Sequence, residues 1–89
     1  MPDVAYTVQI TKSAKKVLAK LPRDVLARIM SAITSLGTNP RPVNSKKLVG
    51  HDFYRIRVGD WRVLYAIDDE VVVVLVLDVG ARGNVYQDL

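Results

Sequence analysis

The stretch Phe53-Tyr-Arg-Ile-Arg-Val58, Gly59-Asp60, Trp61-Arg-Val-Leu-Tyr-Ala-Ile67, Asp68-Asp69-Glu70, Val71-Val-Val-Val-Leu-Val-Leu77 decides the fold. Three runs of β-branched and aromatic residues are separated by two short polar breaks, so they read as three strands joined by tight turns. A two-residue loop at Gly59-Asp60 fixes the first pairing: Val58 opposite Trp61, Arg57 opposite Arg62, Ile56 opposite Val63 and Tyr54 opposite Tyr65. Strand side chains alternate and cross-strand partners share a face. One face then collects Val58, Trp61, Ile56, Val63, Tyr54 and Tyr65, which suits a core. The other collects Arg55, Arg57 and Arg62, with Leu64 beside them and no acidic residue alternating with the arginines on these two strands. Like charges set opposite each other destabilise a sheet. Two explanations stand: an anion that binds and leaves, or a solvated outer face kept soluble by arginine.

Working outward, Tyr6-Thr-Val-Gln-Ile10 alternates and reads as a first strand. Thr11 or Ser13 can cap a helix whose apolar face is Ala14, Val17, Leu18 and Leu21, with Lys12, Lys15, Lys16 and Lys20 on most of the rest. Those lysines can be an ordinary solvated face, a grip on RNA phosphates, or a partner contact. Pro22 ends this helix and suits the first turn of another. From Arg23 to Leu36, Val25, Leu26, Ile29, Met30, Ile33 and Leu36 form a single stripe, stopped by Gly37 and Pro40. The two stripes have only the sheet to pack on. Residues 38–52 form a connection carrying Arg41, Lys46 and Lys47 against Asp52, and Lys46-Lys47-Leu48 begins the second strand or leads into it. The run Val71 to Leu77 is too apolar for an exposed edge and belongs in the middle of the sheet. Gly80 and Gly83 flank Arg82, which places it on a turn beyond that strand. The expected architecture is α+β over residues 1–89 as one domain: an N-terminal strand, a helical hairpin, then a three-stranded antiparallel meander. The helices pack on one face of a four-stranded sheet.

Composition narrows the chemistry. The absence of cysteine excludes disulfide frameworks and thiolate zinc sites. The start has no charged and apolar leader pattern, and the longest apolar run is too short to span a bilayer, so a cytoplasmic protein without a membrane partner is expected. A net charge of +4 points to a polyanion. His51 is a lone loop histidine and makes neither a metal site nor a triad. Asp68-Asp69-Glu70 is a turn rather than an acid/base pair, and neither metal-ligand spacing nor a glycine-rich phosphate loop is present, so no cofactor is expected. Arginine and tyrosine remain. Arginine fits phosphate bidentately and is always charged, which makes it a phosphate clamp and a poor base. Tyr86, four residues after Arg82, can stack on a base, pass a proton or simply pack the chain end.

The order Tyr54-Arg-Ile-Arg57, Gly59-Asp-Trp-Arg-Val-Leu-Tyr65, the apolar strand, Val79-Gly-Ala-Arg82 and Val85-Tyr86 resembles the RelE family of bacterial toxins. So do the N-terminal strand, the helical hairpin and Lys47-Leu48-Val49-Gly50, and the resemblance covers nearly the whole chain. It implies a toxin silenced by a labile RelB-like antitoxin, in a one-to-one or higher-order complex. It implies a ribosome-dependent endoribonuclease that enters the A site, meets rRNA there, and cuts mRNA. The ribose 2′-oxygen attacks the adjacent phosphate without a metal.

Carried over by position, Arg62 is implied to contact the scissile phosphate, Arg82 to stabilise charge developing there, and Tyr86 to stack on the base or assist proton transfer. Arg55, Arg57, Lys46 and Lys47 are the further candidates for RNA phosphate. Two departures stand out. Arg55 and Arg57 fall where the best-studied members carry lysine, so any base falls to Tyr86, its ionisation eased by Arg57, Arg62 and Arg82. The interval from Arg82 to Tyr86 is short, with no room for a long C-terminal helix. Two other activities fit the same resemblance or charge: a ParE-like toxin acting on DNA gyrase, whose members generally lack the arginine–tyrosine set, and a non-catalytic basic RNA-binding module.

Overall fold

The computed structural model describes residues 5–50 and 52–81. Arg82, Tyr86 and His51 lie outside the described residues. The element order is β1 (Thr7–Ile10), α1 (Lys12–Leu18), α2 (Arg23–Leu36), β2 (Lys46–Lys47), β3 (Phe53–Val58), β4 (Trp61–Asp68) and β5 (Val73–Ala81). All strands join one sheet in the order β1-β5-β4-β3-β2, with β1 parallel to β5 and the other pairs antiparallel.

The first hairpin has the register that its two-residue turn dictates, from Val58↔Trp61 to Tyr54↔Tyr65. Gly59 takes φ +61, the left-handed conformation that such a turn needs and that glycine adopts without strain. The apolar run lies inside the sheet as β5, between β1 and β4. It enters two residues late, however. Asp68 Oδ1 accepts hydrogen bonds from the Glu70 and Val71 amides (3.0 and 3.2 Å), which draws the chain into a turn. Val71 is left exposed and Val72 sits at φ 58, a conformation that costs a β-branched residue about 1–2 kcal/mol.

Among the described residues the sheet has five strands, where four were expected. The Leu48 amide donates to Phe53 O (2.9 Å), and this closure sets Lys46 opposite Arg55 and Lys47 opposite Tyr54. The lead-in to the second strand is thus a short strand of its own.

Thr11, not Ser13, caps α1: its Oγ1 accepts from the Ala14 amide (3.2 Å). The same hydroxyl donates to Leu77 O (2.8 Å), and the Thr11 amide donates to Val76 O (3.0 Å), so the cap also anchors α1 to β5. The helix ends at Leu18, and tighter bonds from Lys20 N to Val17 O and from Leu21 N to Leu18 O bring Leu21 onto the core before Pro22. Pro22 stands just before α2, one position earlier than the first turn, and its carbonyl accepts from the Leu26 amide.

Ala14, Leu18, Ile29, Ile33 and Leu36 of the helices pack on Ile56, Val63, Tyr65, Val74, Val76 and Val79 of the sheet. Tyr54, Val58 and Trp61 surround them, so the predicted apolar face is the core face. The Tyr65 ring is fully buried, and its hydroxyl donates to Pro40 O (2.8 Å). The connection after α2 is pinned a second time. Arg41 grips Asp69 with two guanidinium nitrogens (2.8 and 3.3 Å) and reaches the Tyr54 hydroxyl, while Tyr6 donates to Asp69 Oδ1 (2.6 Å). Among the described residues, no helix is long and apolar enough to cross a membrane.

Candidate functional site

Away from the core, side chains from β3, β4 and β5 share the outer face of the sheet in rows that the register defines. One row is Arg57, Arg62 and Gly80; the next is Lys46, Arg55, Leu64 and Asp78. The first row lies at the hairpin tip, where Arg57, Gly59, Asp60, Trp61 and Arg62 line an open recess of about 160 Å³. Direct cross-strand partners have Cβ atoms about 5 Å apart. An anionic group entering the recess would meet guanidiniums from both strands.

Arg55 and Arg57 make no ion pair with a described residue; the described ion pairs are Arg41–Asp69 and Lys47–Asp52. The two lysines part company. Lys46 joins the outer row beside Arg55, whereas Lys47 is in register with Tyr54, a core-face residue, and its Nζ is 3.9 Å from Asp52. The structure therefore brings Arg55, Arg57, Arg62 and Lys46 together and leaves Lys47 aside. Arg82 and Tyr86 belong to the sites expected from sequence and lie outside the described residues.

Two charged residues at this site had no signal in the local sequence. Arg28 of α2 reaches over the hairpin: its guanidinium atoms lie 3.7–4.0 Å from where a Cβ on Gly59 would stand. It makes no ion pair with a described residue. Helical spacing places Arg28 on the solvent side of α2, and only the packing of α2 on the sheet brings it to the turn. Asp78 is the second. β4 carries one acid on the arginine face, Asp68 at its far end, and the neighbouring strand β5 supplies another in the Leu64 row, next to the arginines. The carboxylate is half-buried, and its Oδ1 accepts the Val79 amide (2.8 Å).

On the opposite side of the sheet, pairing and burial shift protonation equilibria. The Arg41 guanidinium, and after it the Tyr6 hydroxyl, hold Asp69 below the usual carboxylate range. The hydrogen bond to Asp69 raises Tyr6. Burial pushes Tyr65 up to about 12. This cluster fixes a loop, and the arginine face is a separate surface.

Comparison with known proteins gives one consistent result. The family model described as the ParE toxin of type II toxin–antitoxin systems, parDE, matches residues 8–86. The toxin RelG of Mycobacterium tuberculosis is 36% identical over 86 residues, which is 92% of this chain and 97% of that one. The archaeal RelE–RelB complex from Pyrococcus horikoshii contains a chain that superimposes with a TM-score of 0.81 at 32% identity, covering 90% of this chain and 98% of that one. The toxin–antitoxin complex RelBE2 of M. tuberculosis gives 0.78 at 36% identity, covering 89% and 100%.

Proposed function

Because the chain belongs to the RelE/ParE superfamily of toxin–antitoxin toxins, we propose that it is a RelE-type endoribonuclease that cuts mRNA in the ribosomal A site and so stops translation. The observation that carries this is the Arg57–Arg62 pair at the mouth of an open recess, with Arg55 and Lys46 in the next row. A phosphodiester is the anion that such a fork fits. Arg62 and Arg57 hold the scissile phosphate, and Arg55 and Lys46 hold backbone on one side of it. The 2′-oxygen of the substrate attacks phosphorus, and charge grows on the phosphate oxygens. Guanidiniums already in place stabilise that charge without reorganising. Since the nucleophile is part of the substrate, the reaction calls for no metal. Arg82 adds positive charge at the phosphate, and Tyr86 stacks on the adjacent base or assists proton transfer; both roles rest on the family resemblance.

A RelB-like antitoxin is the proposed silencing partner, supported by relatives solved as RelE–RelB complexes. The proposed site of action is the cytoplasm, where ribosomes and mRNA meet. Gyrase inhibition is the competing activity, and the ParE name of the matching family model favours it. The arginine fork and the RelE and RelG names of the relatives favour RNA cleavage.

Primer extension on programmed ribosomes separates the two. Expected are cuts inside the A-site codon that need the ribosome and disappear with Arg62→Ala and Arg82→Ala. An intact message with folded, antitoxin-free protein, together with blocked supercoiling by gyrase, would replace this function with the ParE one. RNA binding without product would leave a non-catalytic module.

A further inference from the structure

We infer that Asp78 is the proton acceptor of the cleavage reaction; the inference rests on the ribonuclease function proposed above. Its position is the first reason. Val74 and Val76 point into the core, so strict alternation along β5 would send Asp78 inward as well. It does not go there. Leu64 pairs with Asp78 while Tyr65 pairs with Val76, so Leu77 is an extra residue in β5. This bulge reverses the parity of the strand, turning Val79 into the core and Asp78 out onto the arginine face. Bulges commonly re-aim a side chain beside a functional site. The bulge here is also fixed in place, since the Thr11 hydroxyl donates to Leu77 O.

The state of the carboxylate is the second reason. Asp78 is half-buried on a face of cations, yet it forms no ion pair with a described residue. A carboxylate present only to offset arginine charge would close onto one of them. Buried Leu64, 1% exposed, stands in register between Asp78 and Arg55 and keeps them apart. Arg62 is the diagonal neighbour of Asp78 across the β4–β5 pair, about 7–8 Å away between Cα atoms. One carboxylate oxygen takes the Val79 N–H, which orients the group, and the other makes no hydrogen bond to a described residue. The other charged groups at the fork are Arg57 and Lys46 on the sheet, Arg28 of α2 over the turn, and Asp60, which lines the recess with Arg57 and Arg62. Asp60 is the second acid there, but it is exposed and no described residue orients its carboxylate, whereas Asp78 is half-buried and held by the Val79 N–H.

With the phosphate in the Arg57–Arg62 fork, the step balances without another reactant. The 2′-hydroxyl proton passes to Asp78 as the 2′-oxygen bonds phosphorus. The bond from phosphorus to the 5′-oxygen breaks, and that oxygen receives a proton through solvent as Asp78 returns its own. The products are a 2′,3′-cyclic phosphate and a 5′-hydroxyl. Tyr86 is then left to hold the base.

The test measures two quantities on antitoxin-free protein: single-turnover cutting on programmed ribosomes across acid to neutral pH, and binding to a fully 2′-O-methylated message oligonucleotide that cannot be cut. Asp78→Asn is expected to cut about a hundred- to ten-thousand-fold more slowly and to lose the rise of rate with pH. It should bind the oligonucleotide as tightly as wild type or tighter, because a negative charge has left the phosphate site. Asp78→Ser, which can still accept the Val79 N–H, serves where the asparagine protein does not fold, with the same expected result. A variant that cuts at the wild-type rate with the wild-type pH profile overturns the assignment. So does a variant that loses binding in step with cutting, as Arg62→Ala should. Wild-type protein that neither binds nor cuts would remove the ribonuclease function itself, and Asp78's role with it.

Discussion

Asp78 stands in register with Leu64, and the next residue of β4, Tyr65, stands in register with Val76; Leu77 is the residue left over between them. This single extra residue lets Val76 and Val79 both point into the core and puts the carboxylate with the arginines. Deleting Leu77 leaves Val76, Asp78 and Val79 in plain alternation, with both valines still inward and Asp78 still beside the arginines. What the deletion removes is the bulge and the Leu77 carbonyl that accepts the Thr11 hydroxyl at 2.8 Å. Loss of such a hydrogen bond costs about 1 kcal/mol. The deletion is expected to lower the urea midpoint by a corresponding amount while Asp78 keeps its face.

The arginine face should show itself in salt dependence. Each phosphate contact with single-stranded RNA contributes about 0.7 to the slope of log K against log salt. Arg57→Ala and Arg62→Ala are each expected to reduce the slope by roughly that amount. Arg62→Ala should also cut about a hundred-fold or more slowly. Lys47→Ala, whose lysine sits off the outer rows near Asp52, should change the slope least. Fluorescence titration of a labelled oligonucleotide over a salt series measures all three.

Tyr65 links stability to alkaline pH. Its phenol is ordinarily at 10.0 and is pushed up to about 12 by burial, because ionisation inside the core is disfavoured. The neutral form is therefore the folded form. The contribution is fully present below about 10 and is lost as pH rises through about 12. Tyr65→Phe removes that alkaline loss. It also strands the Pro40 carbonyl that the hydroxyl meets at 2.8 Å, at a cost of about 1–2 kcal/mol at neutral pH. Chemical denaturation at neutral pH and in the alkaline range should show the two curves converging as pH rises.

The Arg41–Asp69–Tyr6 cluster works in the opposite direction. Asp69 is held below its ordinary value, first by Arg41 and then by Tyr6, so its contribution is present above the unfolded carboxylate range. It is lost as pH falls through the lowered folded value. Both side chains of the ion pair are about half exposed, so the effect should be small and weakened by salt. Asp69→Asn is expected to be less stable than wild type at neutral pH and indistinguishable from it in strong acid, as read from urea midpoints at the two pH values.

Much of this protein was legible in the chain itself. A two-residue Gly59-Asp60 turn allows one pairing of its flanking strands, so the register, the core face and the arginine face of the first hairpin followed from residue order. The apolar stripes of α1 and α2 followed from helical spacing, and the buried position of β5 from its unbroken apolar run. These are local properties, set by the period of each element and by the turn between neighbours. Four features were decided only by tertiary structure. Lys46 and Lys47 became a strand because the Leu48 amide found Phe53 O. Arg28 reached the hairpin because α2 packs across it. Arg41 met Asp69 across 28 residues of chain. Asp78 turned outward because the core has room for Val76 and Val79 together, and the strand absorbs one residue to fill it. Alternation predicts a face only while it is unbroken, and where it breaks is a property of the packed core rather than of the strand's own sequence.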